Sequence, residues 1–277
     1  MRMDGVDRID HIDMEAVTAV LREAAETAIL PRYRALADGD VTEKSPGEVV
    51  TVADREAEAL ITRRLRALLD VPVIGEEAAA ENPALLAALP KARYAWLVDP
   101  LDGTANFVAG RPSYAVMAAL VRQGETVAAW IVHPATGVGY TAEKGSGAWR
   151  DGVRLRRGPA SADPAALRGA AFTRFLPDAA RAHVEAARSR FADAGLGTKA
   201  AGVDYPQLAE GKLDFSLYQR TLPWDHAPGT LLLAEAGGTA ARHDGTPYRP
   251  ADDRLGLLAA ADPRCWQTVH DILINFA

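Results

Sequence analysis

Asp99 and Asp102 stand three residues apart where the apolar run Tyr94-Ala-Trp-Leu-Val98 ends, and Pro100, Leu101 and Gly103 complete the segment. Pro100 has no N–H and Gly103 tolerates turn geometry. The segment is therefore expected to leave helix and ladder pairing and to aim both carboxylates, with the carbonyl between them, at one spot. Oxygen donors so arranged suit Mg²⁺ or Ca²⁺, and Mg²⁺ keeps waters and substrate phosphate oxygens beside one or two protein carboxylates. A solvated acidic turn is the other reading of a bare Asp-x-x-Asp-Gly. An EF-hand is excluded, because its loop needs oxygen ligands early and Pro100 and Leu101 follow Asp99. The GxxxxGK[ST], GxGxxG, HExxH and GxSxG patterns are all missing from the chain, which removes the main support for P-loop and serine-esterase chemistry.

Two further acids stand at strand ends, where α/β folds place their ligand crevices. Glu76 follows a short apolar strand over 71–75, and Asp225 lies in Pro223-Trp-Asp-His, where a strand gives way to a helix. Carboxylates gathered without a cation repel, and one or more would have to take up a proton. A divalent ion is the economical explanation, although Glu76-Glu77 and Asp225 taken singly also read as surface acids. His226 reads as part of a helix start, Trp224 as a core anchor, His133 and His243 as surface or capping residues. The single cysteine, Cys265, reads as a small core residue.

The elements that must position these groups alternate. Helical spacing covers 14–36 with a bend at Pro31, and 53–69 with Thr51 as its cap; Arg55, Glu58, Arg63, Arg64 and Arg66 fall mostly on the polar side. Residues 38–47 read as a loop. Strands are expected over 71–75, 94–98, 113–121, 126–132 and 138–142, with turns at Gly124 and Gly137, and 154–163 connects two lobes. The second half predicts an apolar stretch at 168–173, helices over 177–194 and 203–211, and a strand over 213–218. A helix over 223–236 stopped by Gly237-Gly238, a strand over 255–260 and a last helix from Pro263 follow. Strands alternating with helices imply layered α/β packing in one domain, 1–277, with an N-terminal lobe to about residue 155 and a C-terminal lobe over about 156–277.

The chain has 277 residues, with 31 Lys and Arg against 37 Asp and Glu, for a net charge of −6. That balance, with no basic run, argues against nucleic acid as a partner. MRMDGVDRIDHIDMEAV carries no leader-like apolar run, and the longest apolar run, 114–121, is too short to span a bilayer. A cytoplasmic setting without membrane contact is expected.

Four blocks together carry a resemblance: Asp54 in Val-Thr-Val-Ala-Asp-Arg-Glu; Gly75-Glu76-Glu77; Trp96-Leu-Val-Asp-Pro-Leu-Asp-Gly-Thr-Ala-Asn-Phe107; and Pro223-Trp-Asp-His-Ala-Pro-Gly followed by Glu235-Ala-Gly-Gly238. In order and spacing they resemble the inositol monophosphatase family of Mg²⁺-dependent, lithium-sensitive phosphatases, related to fructose-1,6-bisphosphatase. The resemblance implies an αβαβα sandwich and a homodimer. It implies two or three Mg²⁺ ions: one on Glu76, Asp99 and the Leu101 carbonyl, a second on Asp99, Asp102 and Asp225, and a weaker third leaning on Glu76. Gly103 and Thr104 amides would receive the phosphate, and Asp54 with Thr104, aided by Glu76, would activate the attacking water. Direct in-line attack of a metal-activated water on a small phosphorylated metabolite follows, and Lys44 matches a family lysine near the metals.

Substrate recognition departs from the family pattern. Tyr218, then Gln219 and Arg220, stand where inositol-recognising members place a hydroxyl-reading Glu, and Lys199 replaces a usual glycine in the pocket segment Lys199-Ala-Ala-Gly202 that includes Ala201. An inositol-1-phosphate-like substrate is the first expectation. Histidinol phosphate, 3′-phosphoadenosine 5′-phosphate and a sugar bisphosphate are the alternatives within the enzyme class, and a regulatory, protein-binding member of the family is the alternative outside it.

Overall fold

The structure is a computed structural model and describes residues 12–275, so most of the N-terminal stretch read above lies outside the described residues. Side-chain alternation along the central strands sorts apolar residues onto two faces. In the strand Ala115–Arg122, Val116, Ala118 and Leu120 join a core with Val17, Leu21, Ile61 and Leu65, whereas Ala115 and Met117 join another with Leu231, Leu232 and Ala236. The strand Glu125–His133 divides in the same way, Trp130 on the first side and Ile131 on the second. Burial on both faces explains why these strands read as unbroken apolar runs rather than as alternation.

The large sheet has seven strands in chain order: Val73–Gly75, Tyr94–Asp102, Ala115–Arg122, Glu125–His133, Val138–Glu143, Gly147–Arg150 and Val153–Leu155. Its first pair is parallel and the rest are antiparallel. The small sheet runs Asp193–Gly195, Arg168–Ala171, Phe215–Tyr218, Leu257–Ala260, Thr239–Ala241. Helices Met14–Ala24 and Val52–Leu68 cover the outer face of the large sheet, and Ala201–Ala209 and Pro223–Ala236 lie between the sheets. Asp178–Ala187 and Pro263–Leu273, the latter with buried Cys265, cover the small sheet. The layers are αβαβα, as the resemblance implies. No helix among the described residues is long and apolar enough to cross a membrane.

Several elements differ from expectation for local reasons. The first helix leaves regular geometry at Ala25, passes through a π-helical segment Ala25–Ile29 and ends in a 3₁₀ turn Leu30–Arg32 around Pro31, whose ring and missing N–H disfavour a continued helix. Residues 38–47 are not a plain loop: Val41–Ser45 pairs with Glu48–Thr51 in a hairpin. The helix expected to reach 194 stops at Ala187, and Asp193–Gly195 becomes an edge strand. Thr239–Ala241, read as no element, pairs with Leu257–Ala260.

His133 and His243 are half-buried rather than exposed. His133 Nε2 lies 2.7 Å from the Gly202 carbonyl. His243 packs against Gly256, where an added methyl would come within 2.6 Å of Nδ1. Burial holds its pKa down at about 4 against an ordinary 6.5. A depressed histidine contributes stability that is full above the unfolded pKa and is lost as pH falls toward the folded one. The Tm gap between wild type and His243→Gln, taken by calorimetry at about pH 7 and about pH 4.5, should therefore narrow on acidification. A gap that does not move with pH would show that His243 keeps one protonation state through unfolding.

Candidate active site

Asp99 and Asp102 both remain in the strand Tyr94–Asp102, contrary to the expectation that Pro100 and Gly103 would take them out of pairing. Asp99 is opposite Met117 and Asp102 opposite Ala115, so three steps on one strand face two on its partner. That is a β-bulge, which absorbs one extra residue and accommodates a proline without a donor. In a regular strand, residues three apart point to opposite faces; the added residue puts the two acids on the same one. The turn is pinned by the Leu101 N–H donating to Asp99 Oδ1 at 3.0 Å and the Gly202 N–H donating to Asp102 Oδ2 at 2.6 Å. Gly103 follows at φ +83°, where an added Cβ would meet the Ser113 carbonyl at 2.8 Å, and it opens the short helix Thr104–Val108.

Asp54 is set by the start of the helix Val52–Leu68. Thr51 and Asp54 form a capping box, the Thr51 N–H and hydroxyl donating to Asp54 Oδ2 at 2.7 and 2.6 Å. Oδ1 is thereby turned toward Thr104, whose hydroxyl lies 3.0 Å from it and 2.9 Å from the Leu101 carbonyl. Burial pushes Asp54 up to about 6 against these hydrogen bonds.

Glu76 begins a one-and-a-half-turn helix, Glu76–Glu81, immediately after Val73–Gly75. The carboxylate of Glu58 accepts the Glu77 and Ala78 N–H groups, each at 2.8 Å, and so caps this helix from outside. Glu58 is buried, not on the polar side of its own helix, and Gly75 makes room for it: a Cβ there would sit 2.3 Å from the Glu58 carboxyl carbon. Lys44 reaches from the hairpin to Glu76 Oε1 at 3.1 Å and also pairs with Glu77.

Asp225 enters in the first turn of Pro223–Ala236, after the proline that starts it. One cavity of about 440 Å³ is lined by Lys44, Glu76, Asp99, Leu101, Asp102, Gly103, Thr104 and Asp225, with Lys199, Arg174 and Arg220 on another part of its wall. Asp54 is not part of this wall but touches the hydroxyl of Thr104, which is. Ala201 and Tyr218 line a second cavity of about 370 Å³ that shares Asp102 and Asp225 with the first. His226 is in the second cavity wall, but both ring nitrogens are engaged, Nδ1 with the Tyr205 hydroxyl at 3.0 Å and Nε2 with the Arg220 carbonyl at 3.2 Å.

A sequence profile of the inositol monophosphatase family matches residues 12–273. The chain belongs to this family. It is 36% identical to an inositol-1-monophosphatase of Rhizobium meliloti over 74% of this chain and 76% of that one. It is 31% identical to a Nus factor SuhB of Vibrio cholerae over 80% of this chain and 81% of that one. Among solved structures, the IMPase of Thermotoga maritima superposes with a TM-score of 0.77 at 25% identity over 94% of this chain and 97% of that one.

Whether the acids of this family member fit a metal can be tested on their own chemistry. Burial first, then the charges of Glu76, Asp102 and Asp225, holds Asp99 well above the usual carboxylate range, and Asp225 is raised likewise by burial and by Glu76 and Asp102. Burial pushes Asp102 up to about 7 against the pull of the Gly202 amide. Four mutually repelling carboxylates and a backbone carbonyl around one cavity are a hard-oxygen donor set that lacks positive charge at its centre, and a divalent cation fits it. Among the described residues the side chains do not already close into a three-ligand cluster. Glu76 Oε1 is engaged by Lys44 and Asp102 Oδ2 by the Gly202 amide.

Proposed function

We propose that this chain is a Mg²⁺-dependent phosphomonoesterase that hydrolyses a small phosphorylated metabolite by direct attack of water. The observation that carries this reading is the approach of Glu76, Asp99, Asp102 and Asp225, from three separate chain segments, to a cavity that also exposes Gly103 and Thr104. Glu76, Asp99, Asp102, Asp225 and the Leu101 carbonyl would hold Mg²⁺, which when bound neutralises phosphoryl charge and lowers the pKa of an attacking water.

The remaining steps belong to the protein. Gly103 and Thr104 receive phosphate oxygens at their amides. The Thr104 hydroxyl has one hydrogen and two acceptors in reach, Asp54 Oδ1 and the Leu101 carbonyl. Pointed at Asp54, it leaves its lone pairs free to accept from a water and to turn that water's oxygen toward phosphorus. The water proton then passes to the Thr104 oxygen as the Thr104 proton passes to Asp54, a base that titrates at about 6 in its buried setting. Among the described residues the cavity wall holds no serine, cysteine or histidine, so a phosphoserine, phosphocysteine or phosphohistidine intermediate has no nucleophile there, and in this reading the carboxylates serve the cation instead.

Phosphate release from inositol 1-phosphate, histidinol phosphate, 3′-phosphoadenosine 5′-phosphate and fructose 1,6-bisphosphate, each with Mg²⁺ and with EDTA, tests the reading. Release from at least one substrate that EDTA abolishes is expected, with LiCl lowering the rate. No Mg²⁺-dependent release from any of them would favour a protein-binding role of the kind the name of the SuhB relatives suggests.

A further inference from the structure

We propose that this site selects phosphomonoesters whose leaving group carries a second anionic group, a phosphate or a carboxylate, received by Arg174, Lys199 and Arg220. The proposal rests on the phosphatase reading and names the substrate class it acts on. All three cations line both the metal-side cavity and the adjoining one, so they stand on the path between the acids and the second pocket.

Their charge is partly compensated. Glu48 pairs with Arg220 and also lies in the field of Arg174, and Arg220 acts on Asp225. Among the described residues, Arg174 donates hydrogen bonds to the Pro46 and Gly47 carbonyls, at 2.8 and 3.4 Å, and not to a carboxylate. Lys199 is exposed and makes no hydrogen bond or ion pair among the described residues. Both guanidinium groups are steadied by Phe175, Arg220 at 4.4 Å and Arg174 at 5.1 Å from the ring centre. Guanidinium forks held in this way match the planar oxygens of phosphate and carboxylate.

Lys199 is the most telling of the three. It occupies the left-handed region at φ +63°, which a residue with a Cβ rarely adopts and glycine adopts freely. A strained, unpartnered cation at a cavity mouth points to a ligand for it. On the same side, Tyr218 brings no carboxylate to read sugar hydroxyls: it is buried, and its ring stacks on Phe172 at 5.0 Å and on Tyr205 at 5.6 Å. Exposed Phe175 and Leu196 complete an apolar rim. This side of the site therefore supplies cations and an aromatic wall, suited to an anion on a carbon frame rather than to a neutral polyol.

Matched substrate pairs read this directly: fructose 1-phosphate against fructose 1,6-bisphosphate for a second phosphate, glycerol 2-phosphate against 2-phosphoglycerate for a carboxylate. With Mg²⁺, kcat/KM for at least one doubly anionic partner should exceed that for its match by tenfold or more, chiefly through KM. The ratio should fall to within about threefold of one in Lys199→Gly with Arg174→Gln, and elevated salt should shrink it in wild type. Glycine suits the Lys199 backbone, and Lys199→Gly alone, which leaves the Arg174 bonds to the hairpin in place, should lower the ratio by at least half, so a structural effect of Arg174→Gln does not explain the loss. Calorimetric Kd values for the same pairs, taken on Thr104→Val to prevent turnover, should show the same tenfold preference and the same collapse. Equal kcat/KM and equal Kd within both pairs, or preferences that survive both substitutions, would overturn the proposal and leave the phosphatase reading standing. A Kd preference that collapses with the cations, in a protein that releases no phosphate from any substrate, would instead overturn the phosphatase reading and keep the anion receiver.

Discussion

Asp99→Asn is expected to lose at least about 10²-fold in turnover while the metal-free protein becomes more heat-stable, the exchange of stability for activity expected at a site built from repelling charges. Asp99 is 1% exposed and is held well above the usual carboxylate range, first by burial and then by the charges of Glu76, Asp102 and Asp225. A carboxyl whose folded pKa exceeds its unfolded value costs stability as pH rises between the two, so at neutral pH the metal-free cluster opposes folding, by proton uptake or by held charge. Asparagine has nearly the same shape, keeps an oxygen for the Leu101 N–H, and removes one charge from the repulsion. A relief of about 1 kcal/mol would raise Tm by about 2–4 °C in a protein of this size. The wild-type protein should recover the difference when Mg²⁺ is added, because an ion that binds only the folded state stabilises it, and the variant should recover less. Scanning fluorimetry in EDTA and in Mg²⁺ beside phosphate-release kinetics makes the comparison. Turnover within twofold of wild type would mean that Asp99 does not share a required cation with the other acids, and a lower Tm in EDTA would mean that their repulsion does not oppose folding.

The same cluster shows what the sequence carries and what it does not. Residue type and strand-end position mark Glu76, Asp99, Asp102 and Asp225 because hard-oxygen chemistry leaves few other residues to use. The bulge that turns Asp99 and Asp102 to one face was read the opposite way, as an exit from pairing. Proline in a strand normally argues for that, and only the long-range register against Ala115 and Met117 reveals the alternative. Glu58 went unrecognised for a related reason. Its position by helical period is polar, yet the N–H groups it caps belong to Glu77 and Ala78, nineteen and twenty residues away. The hairpin is invisible in the sequence because Val41–Ser45 is exposed throughout, so no alternation of apolar and polar residues marks it; the resemblance alone places Lys44 near the acids, and the hairpin supplies its reach to Glu76 and Glu77. Layered α/β packing is legible in the alternation of strands and helices, whereas the αβαβα order comes from the resemblance, since a helix buried all round such as Pro223–Ala236 shows no single apolar stripe to place it.

Thr104 and Asp54 should lose activity together rather than separately. If the Thr104 hydroxyl aligns water only while donating to Asp54, then Thr104→Val and Asp54→Asn each interrupt one path and should each lower kcat by about 10²-fold or more, the range for a lost acid–base group. The double variant should then be little worse than either single one, as expected for residues that act as a unit. Thr104→Ser keeps the hydroxyl and should stay within about tenfold of wild type. Asp54→Asn has a structural side as well, since Oδ2 accepts the Thr51 N–H at 2.7 Å in the capping box, and losing a cap costs about 1 kcal/mol. Such a loss appears in Tm and leaves kcat of the folded fraction unchanged, so Tm and kcat measured on the same samples separate the two effects. Multiplying rather than overlapping losses in kcat would show that Asp54 and Thr104 act on different steps, and full activity in Thr104→Val would remove the hydroxyl from the proton path altogether.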